Sequence, residues 1–279
     1  MEVDELLSRY QAGERNFREI TLIGANLQGV DLSDALFTRS NLQQTDLSGA
    51  NLTGVNFREV KLVGSNLSKA KLEEANLIGS TLTTTNFSHA NLKAANFRGA
   101  SGWEVNFSHA NLTGAILIEA NFTQGNFTQA NLNEATLIRT NLSRASLPGA
   151  SLDGANLTNA LLNEAQLERA TLIGAILSGA KMMNVNLSGT DLSKSTIIGT
   201  DLSEANLSKS NLRVANVSWT TLRKANLSGA NLYRAKLSWS NLSGAVLIEA
   251  VLMDTNLNRA NLRDANLKGA IMPDGATHD

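Results

Sequence analysis

The chain has 279 residues, with 24 Lys plus Arg against 25 Asp plus Glu, and the resulting formal charge of −1 argues against a strongly basic nucleic-acid binder. It has no cysteine, which excludes a disulfide framework, a thiol nucleophile and a Cys-ligated metal and fits a reducing compartment, so the cytoplasm is the expected setting. Only 5% of residues are aromatic and two are proline although 42% are hydrophobic, a mixture that points to a repetitive core built with small residues.

The opening Met1-Glu2-Val3-Asp4-Glu5 is acidic where a secretory signal needs basic residues. No apolar run approaches the roughly 20 residues that cross a bilayer, so neither export nor a membrane is expected. Val3, Leu6, Leu7 and Tyr10 recur at helical spacing, which predicts a short amphipathic helix. Residues 1–15 are therefore read as a cap that covers the open strand edges at the start of the adjoining segment.

From Phe17 to Met272 a large apolar residue recurs at every fifth position without a slip, through 52 pentads: 39 Leu, 8 Phe, 2 Met, 1 Ile, 1 Val and the single exception Gly102. Two residues earlier, from Ala25 to Ala270, every position is Ala, Gly, Ser, Thr or Val, and Asn or Asp dominates the place between. The unit is A-N-L-x-x, as in Ala50-Asn51-Leu52-Thr53-Gly54. A period of five fits neither the helix nor the alternating strand, so each pentad must turn a corner. Four sides of five residues close a coil of 20 with the large and small columns inside, and the whole repeat makes about 13 coils stacked at about 4.8 Å.

On this motif the sequence resembles the pentapeptide repeat family over residues 16–272, and the resemblance implies an all-β, right-handed quadrilateral β-helix. The opening Leu6-Leu7-Ser8-Arg9-Tyr10 and Ala12-Gly13-Glu14-Arg15-Asn16-Phe17, with the ending Leu267-Lys268-Gly269-Ala270-Ile271-Met272-Pro273, resemble cyanobacterial members, which include a regulator of heterocyst differentiation. The resemblance implies a non-enzymatic role without a cofactor. The family's best-known activity is imitation of the DNA duplex by an acidic surface that occupies DNA gyrase, and inhibition or modulation of gyrase is the alternative function.

Little in the chain suggests chemistry. Gly102 removes one side chain from the apolar column, and the nearby Phe87, Phe97, Phe107, Phe122 and Phe127 are expected to take up the space, with Phe122 directly above it. His89 and His109 are 20 residues apart and therefore stack, but their column continues to Lys69 and Gln129, which completes no metal site. Ser88 and Ser108 beside them have no carboxylate to orient a base, and pairs such as Glu73-Glu74 lie on a convex surface, so no catalytic residue is expected.

The surface is more informative when sorted by side. The side that begins with the Phe17 pentad has seven outward basic residues against three acidic, and the side that begins with the Leu32 pentad has five against nine. A basic side adjoining an acidic one is a poor phosphate mimic. The basic side is also the most apolar outside: Leu36, Ile78, Ile116, Ile118, Ile138, Ile176, Ile198, Trp219 and Trp239 stand where the repeat normally puts Asn, Ser or Gly. Trp219 and Trp239 are one coil apart, and exposed Trp among Arg and aliphatic side chains is the composition of interface cores. Arg98, Ile118, Ile138, Arg139, Ile198, Trp219, Trp239 and Arg259 are the expected protein-binding residues, with a transcriptional regulator as one candidate partner and no direct nucleic-acid binding.

Residues 273–279 are read as a tail in which Pro273 and Gly275 stop the pairing. Outward Val246, Ile248, Val251, Met253 and Ile271 near that end invite self-association there.

Overall fold

The computed structural model describes all 279 residues and divides into two compact units, Met1–Thr136 and Leu137–Asp279. Each unit is built by one rule. The residue just before the central one of a pentad forms a parallel bridge with its equivalent 20 residues later, as Asn16 does with Leu36 in the first unit and Asn141 with Leu161 in the second. Four pentads therefore complete one coil, and each unit is a β-helix whose four sheets are ladders of single bridged residues. The central N–H donates to the carbonyl 19 residues on, from Phe17 to Leu36 at 2.8 Å and from Leu142 to Leu161 at 2.7 Å.

The corner between sides is set by the residue two beyond the central one. At all 51 such places from Glu19 to Gly269 the backbone φ is positive, between 53° and 70°. A type II turn requires this of its third residue, which is why glycine recurs there. Side chains that resist the left-handed region adopt it all the same, including Val214 at 61° and Trp239 at 63°. Each such residue costs roughly 1 kcal/mol, and the cost is tolerated because hydrogen bonds to the coils on either side fix the turn.

Asparagine at the bridged place satisfies polar groups in two directions. Asn86 Oδ1 accepts the Ser88 N–H at 3.0 Å, and Asn86 Nδ2 donates to Asn66 Oδ1 at 3.1 Å in the preceding coil. Asn106 repeats the pattern onto Asn86 at 3.0 Å. An Asp in this column has the same acceptor role: hydrogen bonds from the Ser48 N–H and hydroxyl hold the Asp46 carboxyl below the usual aspartate range.

The large column and the small column fill the interior, and almost all are fully buried. In the first unit Phe17, Phe37 and Phe57 follow one another at 5.7 and 5.6 Å, and Phe87, Phe107 and Phe127 stack at 5.2 and 4.9 Å. In the last coil of the second unit the central Leu257, Leu262 and Leu267 are half-buried, because no further coil covers them.

Helix α1, Val3–Gln11, precedes the first coil. Asp4 and Glu5 lie in its first turn and Arg9 in its last, the arrangement the helix dipole favours. Leu6 is fully buried, Val3, Leu7 and Tyr10 are half-buried, and the Tyr10 hydroxyl donates to the Ser33 carbonyl at 2.9 Å. Arg9 is paired with Glu14 at 2.6 Å and Glu5 at 3.2 Å, and its guanidinium lies 5.7 Å from the Phe17 ring centre.

The tail departs from the sequence expectation. Instead of ending the pairing, it turns back after Gly275, whose φ is 87°, and Thr277 forms an antiparallel bridge with Ile271. Gly269 N–H donates to the His278 carbonyl at 2.7 Å and His278 N–H to the Ala270 carbonyl at 2.8 Å. Pro273 and Gly275 reverse the chain onto the last edge of one side. Of the outward apolar residues near this end, only Met253 is exposed, and Val246, Ile248, Val251 and Ile271 are half-buried in their ladders.

Where Ser or Thr replaces alanine in the small column, its buried hydroxyl needs an acceptor. Ser65 Oγ donates to the Leu42 carbonyl at 2.6 Å and Thr85 Oγ1 to the Leu62 carbonyl at 2.7 Å. Ser80 Oγ is buried without a partner. Ser65→Ala is therefore expected to lower unfolding stability by about 1 kcal/mol and Ser80→Ala to leave it unchanged or raise it by up to about 1 kcal/mol, read from guanidinium unfolding midpoints.

Candidate interaction surface

The residue two beyond the centre of each pentad projects from a corner, so residues 20 apart at this place form an outward column. In the second unit one column runs Arg139, Asn159, Gly179, Gly199, Trp219, Trp239, Arg259. Trp219 and Trp239 stack with ring centres 4.8 Å apart and planes 6° from parallel, and the Arg259 guanidinium lies over Trp239 at 4.4 Å. The strand spacing of about 4.8 Å is close to an aromatic stacking distance, so the backbone repeat itself aligns the two indoles. Both remain accessible, Trp219 at 60% and Trp239 at 43%, and the neighbouring Ile198 is also exposed.

Ile198, Trp219, Trp239 and Arg259 are thus brought into one cluster. Ile138 and Arg139 lie on the same side of the same unit, but Arg139 is four coils from Trp219, roughly 19 Å along the column, with Asn159, Gly179 and Gly199 between. Arg98 and Ile118 belong to the first unit, where they sit in adjacent coils joined by the Gly99 N–H to Ile118 carbonyl bond at 3.0 Å. The basic side of the first unit is partly neutralised. Arg39 pairs with Glu59 at 2.9 Å and Glu19 at 3.7 Å, and Arg58 with Glu59 at 3.1 Å. The hydrogen bond from Arg39, then that from Arg58, holds the Glu59 carboxyl below its ordinary range. Arg18, Glu19, Thr38, Arg39, Asn56 and Arg58 line an open hollow there, and the exposed pairs add little stability.

A second cluster, on the adjoining side of the second unit, lies outside the set expected from sequence. Arg213 lies over the Tyr233 ring at 4.6 Å and Arg234 at 4.9 Å, while Arg234 also pairs with Asp254 at 3.2 Å. The 20-residue offset between Arg213 and Tyr233 is the signal that finds it.

The other sequence candidates resolve by geometry. His89 and His109 stack at 4.6 Å with planes 1° apart, as their spacing predicts. Lone pairs in two parallel ring planes cannot converge on one tetrahedral ion. At Gly102 an added Cβ would meet the Val105 side chain and come within 2.8 Å of the Leu82 carbonyl carbon, so the backbone at this place leaves no room for a side chain. Nearby, Phe97, Phe107, Phe122 and Phe127 pack ring against ring with centres 4.9 to 6.3 Å apart. Trp103 is half exposed, with its indole N–H donating to the Gln124 carboxamide oxygen. No helix is long and apolar enough to cross a membrane.

A family model described as pentapeptide repeats matches residues 16–54, 125–163, 150–189, 160–197, 190–229 and 230–269, and one described as a pentapeptide repeat region matches residues 50–119. Among solved structures the chain is similar to HetL, a pentapeptide repeat protein involved in heterocyst differentiation regulation from the cyanobacterium Nostoc sp. strain PCC 7120, at 33% identity over 100% of both chains, with a TM-score of 0.29. It is also similar to alr5209 from Nostoc PCC 7120, at 37% identity over 37% of this chain and 80% of that one, TM-score 0.24. QnrB1, a plasmid-mediated fluoroquinolone resistance protein, matches at 18% identity over 67% of this chain and 88% of that one, TM-score 0.37. No curated protein matches significantly.

The tight surroundings of Gly102 make a counterintuitive prediction. Restoring the repeat with Gly102→Leu should destabilise the protein by about 1–3 kcal/mol, because its Cβ would collide with Val105 and the Leu82 backbone. Thermal unfolding checks it, and a raised melting temperature would show a usable void.

Proposed function

The chain belongs to the pentapeptide repeat family, whose members fold as right-handed β-helices, and from that premise we propose that it is a non-enzymatic scaffold binding a protein partner through the face around Trp219, Trp239 and Arg259. The single observation that carries this reading is the exposed indole stack closed at one end by a guanidinium. Two large aromatic rings in water cost free energy that burial against a partner recovers, and Trp and Arg dominate interface hot spots. Ile198 extends the same surface, and Ile138, Arg139, Arg98 and Ile118 are proposed as outlying contacts.

The same reading takes residues 1–15 as a cap, 16–272 as the repeat region of about 13 coils and 273–279 as a tail. Its setting is the cytoplasm, in keeping with the absence of cysteine. Identity to HetL over the full length supports a regulatory role in cyanobacterial heterocyst differentiation, with a transcriptional regulator as the kind of partner. Imitation of duplex DNA toward gyrase is the competing reading. The acidic side opposes it, since Lys71, Lys93, Arg213 and the Arg234–Asp254 pair interrupt the negative charge a phosphate mimic needs.

Partner capture from cells of the source organism, followed by mass spectrometry, identifies the ligand. Trp219→Ser with Trp239→Ser is expected to weaken that complex by about 2 kcal/mol or more while leaving thermal unfolding nearly unchanged. Ser188→Ala with Ser208→Ala, on the opposite side of the same unit, should bind normally. Equal capture by both variants, or inhibition of gyrase supercoiling by the double tryptophan variant as by the parent, would contradict the proposal.

A further inference from the structure

The tryptophan column is open at one end. Arg259 covers the outer face of Trp239, and Trp239 covers one face of Trp219. The remaining face of Trp219 looks toward Gly199, which accounts for its higher exposure, 60% against 43%. A Cβ built on Gly199 would meet nothing within 4 Å, so that level of the column is empty. One level further the gap ends, because the Asn159 side chain reaches over Gly179 with its Oδ1. The space between the Asn159 amide and the Trp219 indole therefore spans about two coil spacings, the height of one flat group stacked on the ring.

We propose that this gap is a slot for an arginine side chain of the protein partner, whose guanidinium stacks on Trp219 as Arg259 stacks on Trp239. The inference rests on reading the tryptophan face as the interface and names the chemistry that the interface takes. The chain itself demonstrates the fit, since its own guanidinium packs on the other end of the same ladder at 4.4 Å. The surroundings favour a cationic donor over a neutral ring. Asn159 Oδ1 is an acceptor at the floor, and Asp201 stands around the corner from Gly199, its Oδ1 engaged by the Ser203 N–H at 3.1 Å and hydroxyl at 2.7 Å. Lys181 precedes Asp201 in that column, level with the Asn159 floor, below the slot. Ile198 gives the opposite edge an apolar surface for the arginine methylenes. A planar guanidinium satisfies stacking and acceptors together, which an ammonium does not.

The test uses the full chain with labelled indole nitrogens, titrated with Nα-acetyl-arginine amide and with its citrulline, lysine and phenylalanine counterparts. The Trp219 resonance is expected to shift saturably with the arginine compound, about threefold or more tighter than with citrulline, while Trp103 serves as an exposed control that does not saturate. Gly199→Asn, a residue that accepts the left-handed backbone, should fill the slot and abolish the Trp219 response without disturbing the indole stack. Asp201→Asn should reduce the preference for arginine over citrulline even if Gly199→Asn fails to fold. Equal response to citrulline, tighter binding of the phenylalanine compound, or a response unaffected by Gly199→Asn would overturn the slot. Partner capture lost in the double tryptophan variant together with no arginine preference overturns the slot and leaves the interface standing. Intact capture in that variant overturns the interface instead.

Discussion

Everything in this protein depends on one constraint, a left-handed residue at the same place in every pentad, locked by hydrogen bonds to the coils on either side. A single positive φ on valine or tryptophan would be unfavourable in isolation. Here it recurs at every pentad from Glu19 to Gly269, because each departure would break backbone bonds in two directions. The turn brings the large residue inside every fifth position, and the narrow interior then admits only small residues two places earlier. Stability is distributed over nearest-neighbour coil contacts, which is the general energetics of solenoids.

The same constraint writes the surface. Residues 20 apart meet at strand spacing, so any side chain that repeats at that interval forms a ladder without further design. Asn ladders tie coils together, Phe ladders fill the first unit, and His89 and His109 stack with nearly parallel rings. The Trp219–Trp239–Arg259 ladder uses the same geometry outside, where its rings have no structural duty to the core. A pentad repeat thus separates the work of folding, done by the inner columns, from recognition, which is free to vary along the outer ones.

This separation explains how much was legible in the sequence. The Leu column and its small companion are strict because interior volume is strict, so the four-sided coil follows from spacing alone. The indole stack was equally legible, since offset by 20 predicts contact. Two things were not. The tail pairs back on Ile271 because a turn residue can reverse a chain as well as end it. The empty level over Gly199 is visible only once Trp219 and Asn159 have side-chain directions.

The register can be tested directly by inserting one to five residues after Gly154 and following thermal unfolding. One to four inserted residues should lower the melting temperature by about 10 °C or more, since the Leu column of the next coil no longer points inward. Insertion of five, as Ala-Asn-Leu-Ser-Gly, should restore it to within a few degrees, because a whole side has been added and the large and small inner columns are preserved, although the outward ladders across the insert shift by one side. A steady loss of stability with insert length, without recovery at five, would contradict the account.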